Sequence, residues 1–340
     1  MKPSLSIIVP VYNNERYISF CLESLLLHQN IDKELYEVIV VNDGSTDRSF
    51  SIIQSYAQIY SNIFVINQEN SGVSVARNRG LEIANGDYVW FVDGDDFIQA
   101  NCLQKLLVKL NTEVDVFHFY GFRFQQNTFD KQLLYKNVKG TAQPDIWSYI
   151  FSIKFLKKHK IYFEKGIHYC ETQLFLNDVN LHRHIEVKDE DTYYYYRQNS
   201  FSATSSNKQR KITGYFDLFE LLEKRLEENT YPPDNTLHQI ESILRMRFLC
   251  AMDDMSIVTS EQLSRGKVLS QNIASYLSSH KVSEDLRKAF NDYKKLCQHC
   301  ETPNWKKYLY RWRASYNRKM LIKNTFKNPQ KAIKNLLKKP

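Results

Sequence analysis

The stretch Asn70–Asp96, NSGVSVARNRGLEIANGDYVWFVDGDD, carries a helix, a strand and an acidic turn in immediate succession. Val73–Ala84 has helical periodicity. Tyr88–Val92 is an unbroken apolar run, short enough for a buried strand, and Asp93-Gly94-Asp95-Asp96 follows it directly. The same alternation extends upstream. Leu5–Val11, Val38–Val41 and Ile63–Ile66 read as strands, while Arg16–Gln29 and Asp47–Tyr60 read as helices, with Ile18, Cys21, Leu22, Leu25 and Leu26 on one helical face. Strands and helices in alternation predict βαβ units in a doubly wound α/β fold. The expected core is a mostly parallel central sheet with helices on both faces.

Downstream of Val114 the pattern becomes mixed, with aromatic alternation in VFHFYGFRF (Val116–Phe124) and a tyrosine run at Tyr193–Tyr196. Residues 1–206 are therefore expected to form one domain in two halves, 1–110 and 111–206. Residues 207–300 are charged and helical throughout, with a capping box at Thr259 and Gln262, and predict a helical appendage. Residues 301–340 form a separate basic tail, and no internal repeat is present.

Composition removes several classes. Of 340 residues, 43% are apolar and 14% aromatic, with 10 Gly and 8 Pro, which excludes disordered and collagen-like chains. The net charge of +8 suggests nucleic acid until it is divided: Trp305–Pro340 holds 12 Lys or Arg and no acid, leaving 34 basic against 38 acidic residues elsewhere. A mildly acidic body with one basic tail points to a surface and not to a duplex, so no nucleic-acid partner is expected. Six dispersed cysteines (21, 102, 170, 250, 297, 300) read as reduced thiols of a cytosolic protein. The early apolar run is cut short by Pro10 and Asn13-Asn14, and no apolar stretch reaches 18 residues, so neither an export signal nor a membrane span is expected.

In an open α/β sheet, ligands bind beyond the carboxyl ends of the strands. Those ends here read Pro10-Val11-Tyr12-Asn13-Asn14-Glu15, Asn42-Asp43-Gly44-Ser45-Thr46-Asp47 and Asp93-Gly94-Asp95-Asp96. Three carboxylates within four residues repel unless a cation lies among them. Mg²⁺ or Mn²⁺ held by Asp93 and Asp95 and completed by substrate phosphates is the chemistry that fits. An isolated DGDD is more often a polar turn with an Asp capping a helix; the neighbouring polar strand ends favour the cation. Asp43 can accept from a base N–H or a ribose hydroxyl, or simply cap a turn that Gly44 makes tight. The chain lacks G-x-G-x-x-G after the first strand, the P-loop, G-x-S-x-G and H-E-x-x-H. Dinucleotide redox, P-loop phosphoryl transfer and the nucleophile elbow thereby lose their signatures.

SIIVPVYNNERYI (Ser6–Ile18), VVNDGSTDRS (Val40–Ser49) and Asn70–Asp96, in that order and spacing, resemble the family 2 glycosyltransferases of GT-A fold. The likeness is specific over about residues 4–110. It continues more weakly through Phe155–Phe175 and Tyr193–Thr204, and stops near Ser206. The resemblance implies an inverting transfer of a sugar from a nucleotide diphosphate donor, most often a UDP-sugar, to an acceptor hydroxyl with Mn²⁺ or Mg²⁺. It also implies that residues 1–110 are the nucleotide-sugar half and 111–206 the acceptor half. Pro10, Tyr12 and Glu15 would line the nucleotide pocket, with Tyr12 stacked on the base, and Asp43 would bind uracil or ribose. Arg77 would lie along the donor. Asp95 would be the direct metal ligand with Asp93 nearer the ribose, and Asp96 would face the donor sugar or acceptor.

The family's general base belongs to a Glu-Asp pair after a Gly-rich turn, where this chain reads Gly166-Ile167-His168-Tyr169-Cys170-Glu171-Thr172. Either Glu171 takes the base's place, which is the favoured alignment, or Thr172 does; His168 is a fallback. Arg197 and Ser200 resemble the family's segment near the diphosphate and acceptor, although Arg197 could instead simply stack on the four tyrosines beside it. Cys297-Gln298-His299-Cys300 lacks the second pair of a zinc finger. In the tail, Trp305, Tyr308, Leu309, Trp312, Tyr316 and Met320 share one face and basic residues fill much of the rest, the make-up of a helix lying on an anionic membrane. Together these imply a cytoplasmic enzyme, peripheral on the inner face of the membrane, extending a lipid-linked bacterial cell-surface glycan such as an O-antigen, capsule or lipooligosaccharide. A sugar nucleotidyltransferase and a non-catalytic UDP-sugar-binding partner of another transferase are the competing readings.

Overall fold

The computed structural model describes residues 2–110, 113–125, 138–141, 145–167 and 170–198, together with scattered single positions between 214 and 291. The chain separates into two compact units, Met1–Ser206 and Asn207–Pro340. Secondary structure is described almost entirely in the first. His168, Thr259, Ser200, Cys297, Cys300 and the 305–340 tail lie outside the described residues.

Four strands, β1 (Leu5–Val11), β2 (Tyr36–Asp43), β3 (Ile63–Gln68) and β4 (Tyr88–Phe91), pair in parallel in the order β3-β2-β1-β4. The helices α1 (Ile18–Leu26), α2 (Ser49–Ala57) and α3 (Val73–Ile83) connect them in sequence. The four strands fall where the apolar runs placed them; β1 matches its expected range, β2 and β3 extend past theirs, and β4 ends one residue short at Phe91. All three helices are shorter than expected, because the flanking polar residues form turns that fasten the strand ends to one another. The Asn13 side chain accepts from the Thr46 amide (2.8 Å), and the Asn14 amide donates to Ser49 Oγ (2.7 Å).

Beyond β4 the sheet becomes mixed. β8 (Tyr149–Ser152) pairs antiparallel with β4, and β6 (Val116–Gln125) pairs antiparallel with β8. β9 (Glu186–Gln198) then runs parallel to β6, and the short β5 (Phe97–Ile98) closes against β9; β7 (Val138–Thr141) lies off this path on β6. The remaining helices are α4 (Cys102–Lys109), α5 (Ile153–Lys158) and α6 (Glu171–His182).

Both faces of the sheet are covered, as a parallel sheet requires. The period of two sorts the strand side chains into two cores. Leu5, Ile7, Val9, Val38, Val40 and Trp90 pack under α1 and α4, whereas Ile8, Ile39, Val41, Val89 and Phe91 pack under α3, α5 and α6. α3 sits unusually close to the sheet: a Cβ at Gly80 would lie 2.5 Å from Ile8 Cγ2. Among the described residues no helix is long and apolar enough to cross a membrane.

Candidate active site

The carboxyl ends of β1, β2 and β4 open on one edge of the sheet, and most of the residues singled out from the sequence lie there. Gly44 turns the chain after β2 with φ +71°, and a Cβ would come within 2.6 Å of the Asn70 backbone nitrogen, so only glycine fits. That turn leaves Asp43 buried and aimed at the segment entering α3. Its Oδ1 accepts from the Ser71 amide and Gln68 Nε2, and its Oδ2 from the Gly72 amide, each at 2.8 Å. Asp43 thus fixes the start of α3 at the mouth. Tyr12 is half exposed beside it, free to offer a ring face. Pro10 lies at the end of β1, its carbonyl against Gly94. Glu15 accepts from the Arg48 amide and guanidinium, both at 3.1 Å, and the amide bond leads in holding its carboxyl below the ordinary range.

α3 carries the central cation. Its buried positions Ser74, Arg77, Asn78 and Leu81 recur at helical spacing, so Arg77 points inward although it is charged. The guanidinium donates to Asp93 Oδ1 at 2.9 Å and to Glu171 Oε1 at 3.4 Å, and lies 5.1 Å from the Phe163 ring centre. Burial works against its charge, but the two carboxylates more than offset that and hold its pKa above the ordinary value. Asn78 beside it exchanges hydrogen bonds with the Phe163 carbonyl (2.8 Å) and amide (2.9 Å), which holds the chain leading to Glu171 against α3. Glu171 opens α6, after Cys170 in a left-handed conformation (φ 68°). Arg77 therefore joins three elements, two of them ninety-four residues apart.

The acidic turn is braced from below. Asp96 is fully buried. Its Oδ2 accepts from the Tyr194 hydroxyl at 2.6 Å and its Oδ1 from the Arg197 amide at 2.7 Å. Burial first, then the charges of Asp95 and Asp93, push its pKa well up. The Arg197 Nε donates to the Asp95 carbonyl at 2.6 Å, and the guanidinium covers the rings of Tyr17 (4.7 Å) and Phe20 (5.7 Å). The rings that Arg197 is seen to cover are those of α1 and its approach, where stacking on the tyrosine run beside it was expected. Its pKa is lowered by burial, against the pull of Asp96 and Asp95.

Asp93 and Asp95 remain part-exposed at the mouth. Among the described residues no three His, Cys, Asp or Glu side chains converge tightly enough to hold a metal ion by themselves. Two carboxylates with one or more open coordination positions still fit Mg²⁺ or Mn²⁺, since those ions keep several positions for water and substrate phosphate. The donor set therefore fits a cation that arrives with a phosphorylated ligand.

The residues that sequence reasoning passed over are Asn78, Phe163, Tyr17, Phe20, Trp147 and, individually, Tyr194. Asn78 alone left a usable signal, a polar residue on the buried stripe of α3. The others depend on contacts across the sheet that no local pattern announces.

Residues 6–185 match the model of the glycosyl transferase family 2. The uncharacterized glycosyltransferase EpsJ of Bacillus subtilis is 32% identical over 60% of this chain and 64% of its own length. A poly(ribitol-phosphate) beta-glucosyltransferase of Bacillus spizizenii is 33% identical over 56% of this chain and 32% of its own. This chain thus spans less than two thirds of either relative. The crystal structure of Staphylococcus aureus TarS 1–349 in complex with UDP-GlcNAc shares the fold, with a TM-score of 0.55 at 21% identity over 93% of this chain and 92% of its own. With a matching family model over more than half its length, and the α/β fold of TarS around an acidic strand end, the chain belongs to the family 2 glycosyl transferases.

Proposed function

We propose that the protein transfers a sugar from a UDP-sugar to an acceptor hydroxyl with inversion of the anomeric centre, in the synthesis of a bacterial cell-surface glycan. The observation that carries this reading is Arg77, which ties Asp93 at the end of β4 to Glu171 at the start of α6. It supports a donor-side carboxylate and an acceptor-side carboxylate on opposite flanks of one cleft.

In this reading Tyr12 stacks on the base at the β1 end, with Pro10 and Glu15 shaping that wall and Asp43 meeting the uracil or ribose. Asp93 and Asp95 hold Mn²⁺ or Mg²⁺, which when bound supplies Lewis-acid stabilisation to the leaving diphosphate. Arg77 and Arg197 lie along the diphosphate, and Asp96 keeps the acidic turn in place beneath the sugar. The acceptor oxygen attacks the anomeric carbon, the bond from that carbon to the phosphate oxygen breaks, and UDP departs with the electron pair. Glu171 takes the acceptor's proton through Oε2, while Oε1 stays on Arg77. The UDP-GlcNAc bound to TarS supports the donor class, and the poly(ribitol-phosphate) named for the Bacillus spizizenii relative supports a polymeric, cell-surface acceptor. The 305–340 segment is assigned to the inner face of the membrane, where such acceptors are built on lipid.

Glu171→Gln tests the chemistry. Transfer from UDP-sugar should fall by about 10²–10⁴-fold with UDP affinity retained. Undiminished transfer moves the base to another residue, His168 first. Wild-type protein that binds UDP and transfers nothing would favour the non-catalytic partner, the reading that Thr172 in place of a second acid keeps open.

A further inference from the structure

The acidic turn is not held by its own strand. Within it, the Asp96 amide reaches back to the Asp93 carbonyl, at 3.0 Å. Arg77 of α3 pairs with the Asp93 carboxylate at 2.9 Å and the Cys21 thiol of α1 reaches the Asp93 carbonyl at 3.8 Å; the further fastenings come from β9, about a hundred residues downstream. The Tyr194 oxygen accepts from the Asp93 amide at 3.1 Å while its hydroxyl donates to Asp96 Oδ2 at 2.6 Å, so one atom spans the turn from its first to its last carboxylate residue. The Arg197 amide and Nε then occupy Asp96 Oδ1 and the Asp95 carbonyl.

The Tyr194 ring is itself immobilised. It stacks on Trp147 at 4.7 Å and 14°, and the Trp147 carbonyl accepts from Trp90 Nε1 in β4 at 2.7 Å. A side chain at Gly121 in β6 would run into the Trp147 ring, so the stack fills space that glycine leaves. Tyrosine supplies both requirements at position 194: a ring to be clamped and a hydroxyl that donates once and accepts once.

We propose that Tyr194 is a positioning residue for cation binding, its hydroxyl presetting the spacing of Asp93 and Asp95 before the ion and the diphosphate arrive. This rests on the assignment of those two carboxylates as the cation pair. Two carboxylates left on an unbraced turn would separate by mutual repulsion, and an incoming ion would have to draw them together again; the bracing removes that cost in advance. The hydroxyl acts through the Asp93 amide and the Asp96 carboxylate, not by contact with the ion.

The test is calorimetric titration of UDP into the full chain over a range of Mn²⁺ concentrations, for wild type, Tyr194→Phe, Tyr193→Phe and Asp95→Asn. Tyr194→Phe keeps the ring and its stack. It should raise the Mn²⁺ concentration for half-maximal enhancement of UDP binding about tenfold, the size of one lost buried hydrogen bond to a charged network, with metal-free UDP affinity unchanged. Tyr193→Phe removes a hydroxyl bonded to Asp189 at 2.6 Å on the same strand, away from the turn, and should leave the Mn²⁺ dependence alone. A Tyr194→Phe curve that overlies wild type while Asp95→Asn is displaced overturns the inference, as does an equal loss of metal-free UDP binding, which would indicate general loosening. If Asp95→Asn is not displaced, the cation assignment fails and this inference with it. Hydrogen exchange of the unliganded wild type needs no variant. The Asp93 and Arg197 amides should exchange slowly without UDP or Mn²⁺, and protection gained only on adding both would overturn preorganisation.

Discussion

A buried arginine between two carboxylates is valuable for its fork. Arg77 sends one nitrogen to Asp93 and the other to Glu171, so replacing it changes charge and geometry at once. Arg77→Met keeps the bulk and leaves two carboxylates facing one another with no counter-charge. The free energy of unfolding should fall by about 3 kcal/mol, the usual result of stripping one partner from a buried ion pair. Arg77→Lys restores the charge but reaches one carboxylate at a time, so only part of that loss returns. Urea unfolding midpoints measure both, and a Met variant as stable as wild type would mean the cluster adds nothing to the fold. The acidic turn and Asp43 were visible in the sequence because polar residues at strand ends stand out against their neighbours, whereas Arg77 entered only through the resemblance to the family. That Asp96 faces inward was not visible, since three adjacent aspartates look alike until something across the sheet selects one.

Among the elements, α3 does most to place the site, because it presents Arg77 and Asn78 and receives Asp43 at its start. Its distance from the sheet is set by a glycine. In Gly80→Ala the new methyl would press on Ile8 Cγ2 at the centre of β1, which packing at this density can relieve only by lifting the helix. The expected cost is about 1–3 kcal/mol in stability. Because the lift moves Arg77 away from Asp93, kcat should fall further than that loss of folded protein explains. Thermal melting and steady-state kinetics on the same preparation separate the two effects; a destabilised variant with normal kcat would detach α3 packing from the chemistry. The four parallel strands and their helices were legible from alternation of apolar runs with helical periodicity, although β2 and β3 run into polar residues that the apolar runs did not include. The mixed half was legible only as strands without partners. The parallel pairing of β6 with β9, and the insertion of β8 between β6 and β4, depend on contacts remote in sequence, which leave no periodic mark.

At the scale of the whole molecule, charge divides the chain in a way the fold alone does not. Trp305–Pro340 contributes 12 basic residues and no acid, against a body that is slightly acidic. On a surface of anionic lipid each basic residue adds about 1 kcal/mol of attraction, diminishing with salt. A chain ending at residue 304 should therefore lose binding to phosphatidylglycerol vesicles in a flotation assay while keeping its affinity for UDP. Vesicle binding that survives the deletion would transfer the membrane contact to the folded body.

The bracing of the acidic turn also sets an order in time. Asp96 and the residue whose amide completes its hydrogen bonds are 101 positions apart, so a ribosome adding about 5–20 residues per second takes roughly 5–20 s to supply Arg197 after Asp96 has been made. During that interval the parallel strands can assemble, yet the turn at their mouth has Arg77 and its own Asp96–Asp93 backbone bond without the bonds from β9. A nascent chain that has already folded half its sheet therefore still lacks the β9 part of the brace, which is completed only once β9 pairs beside β6.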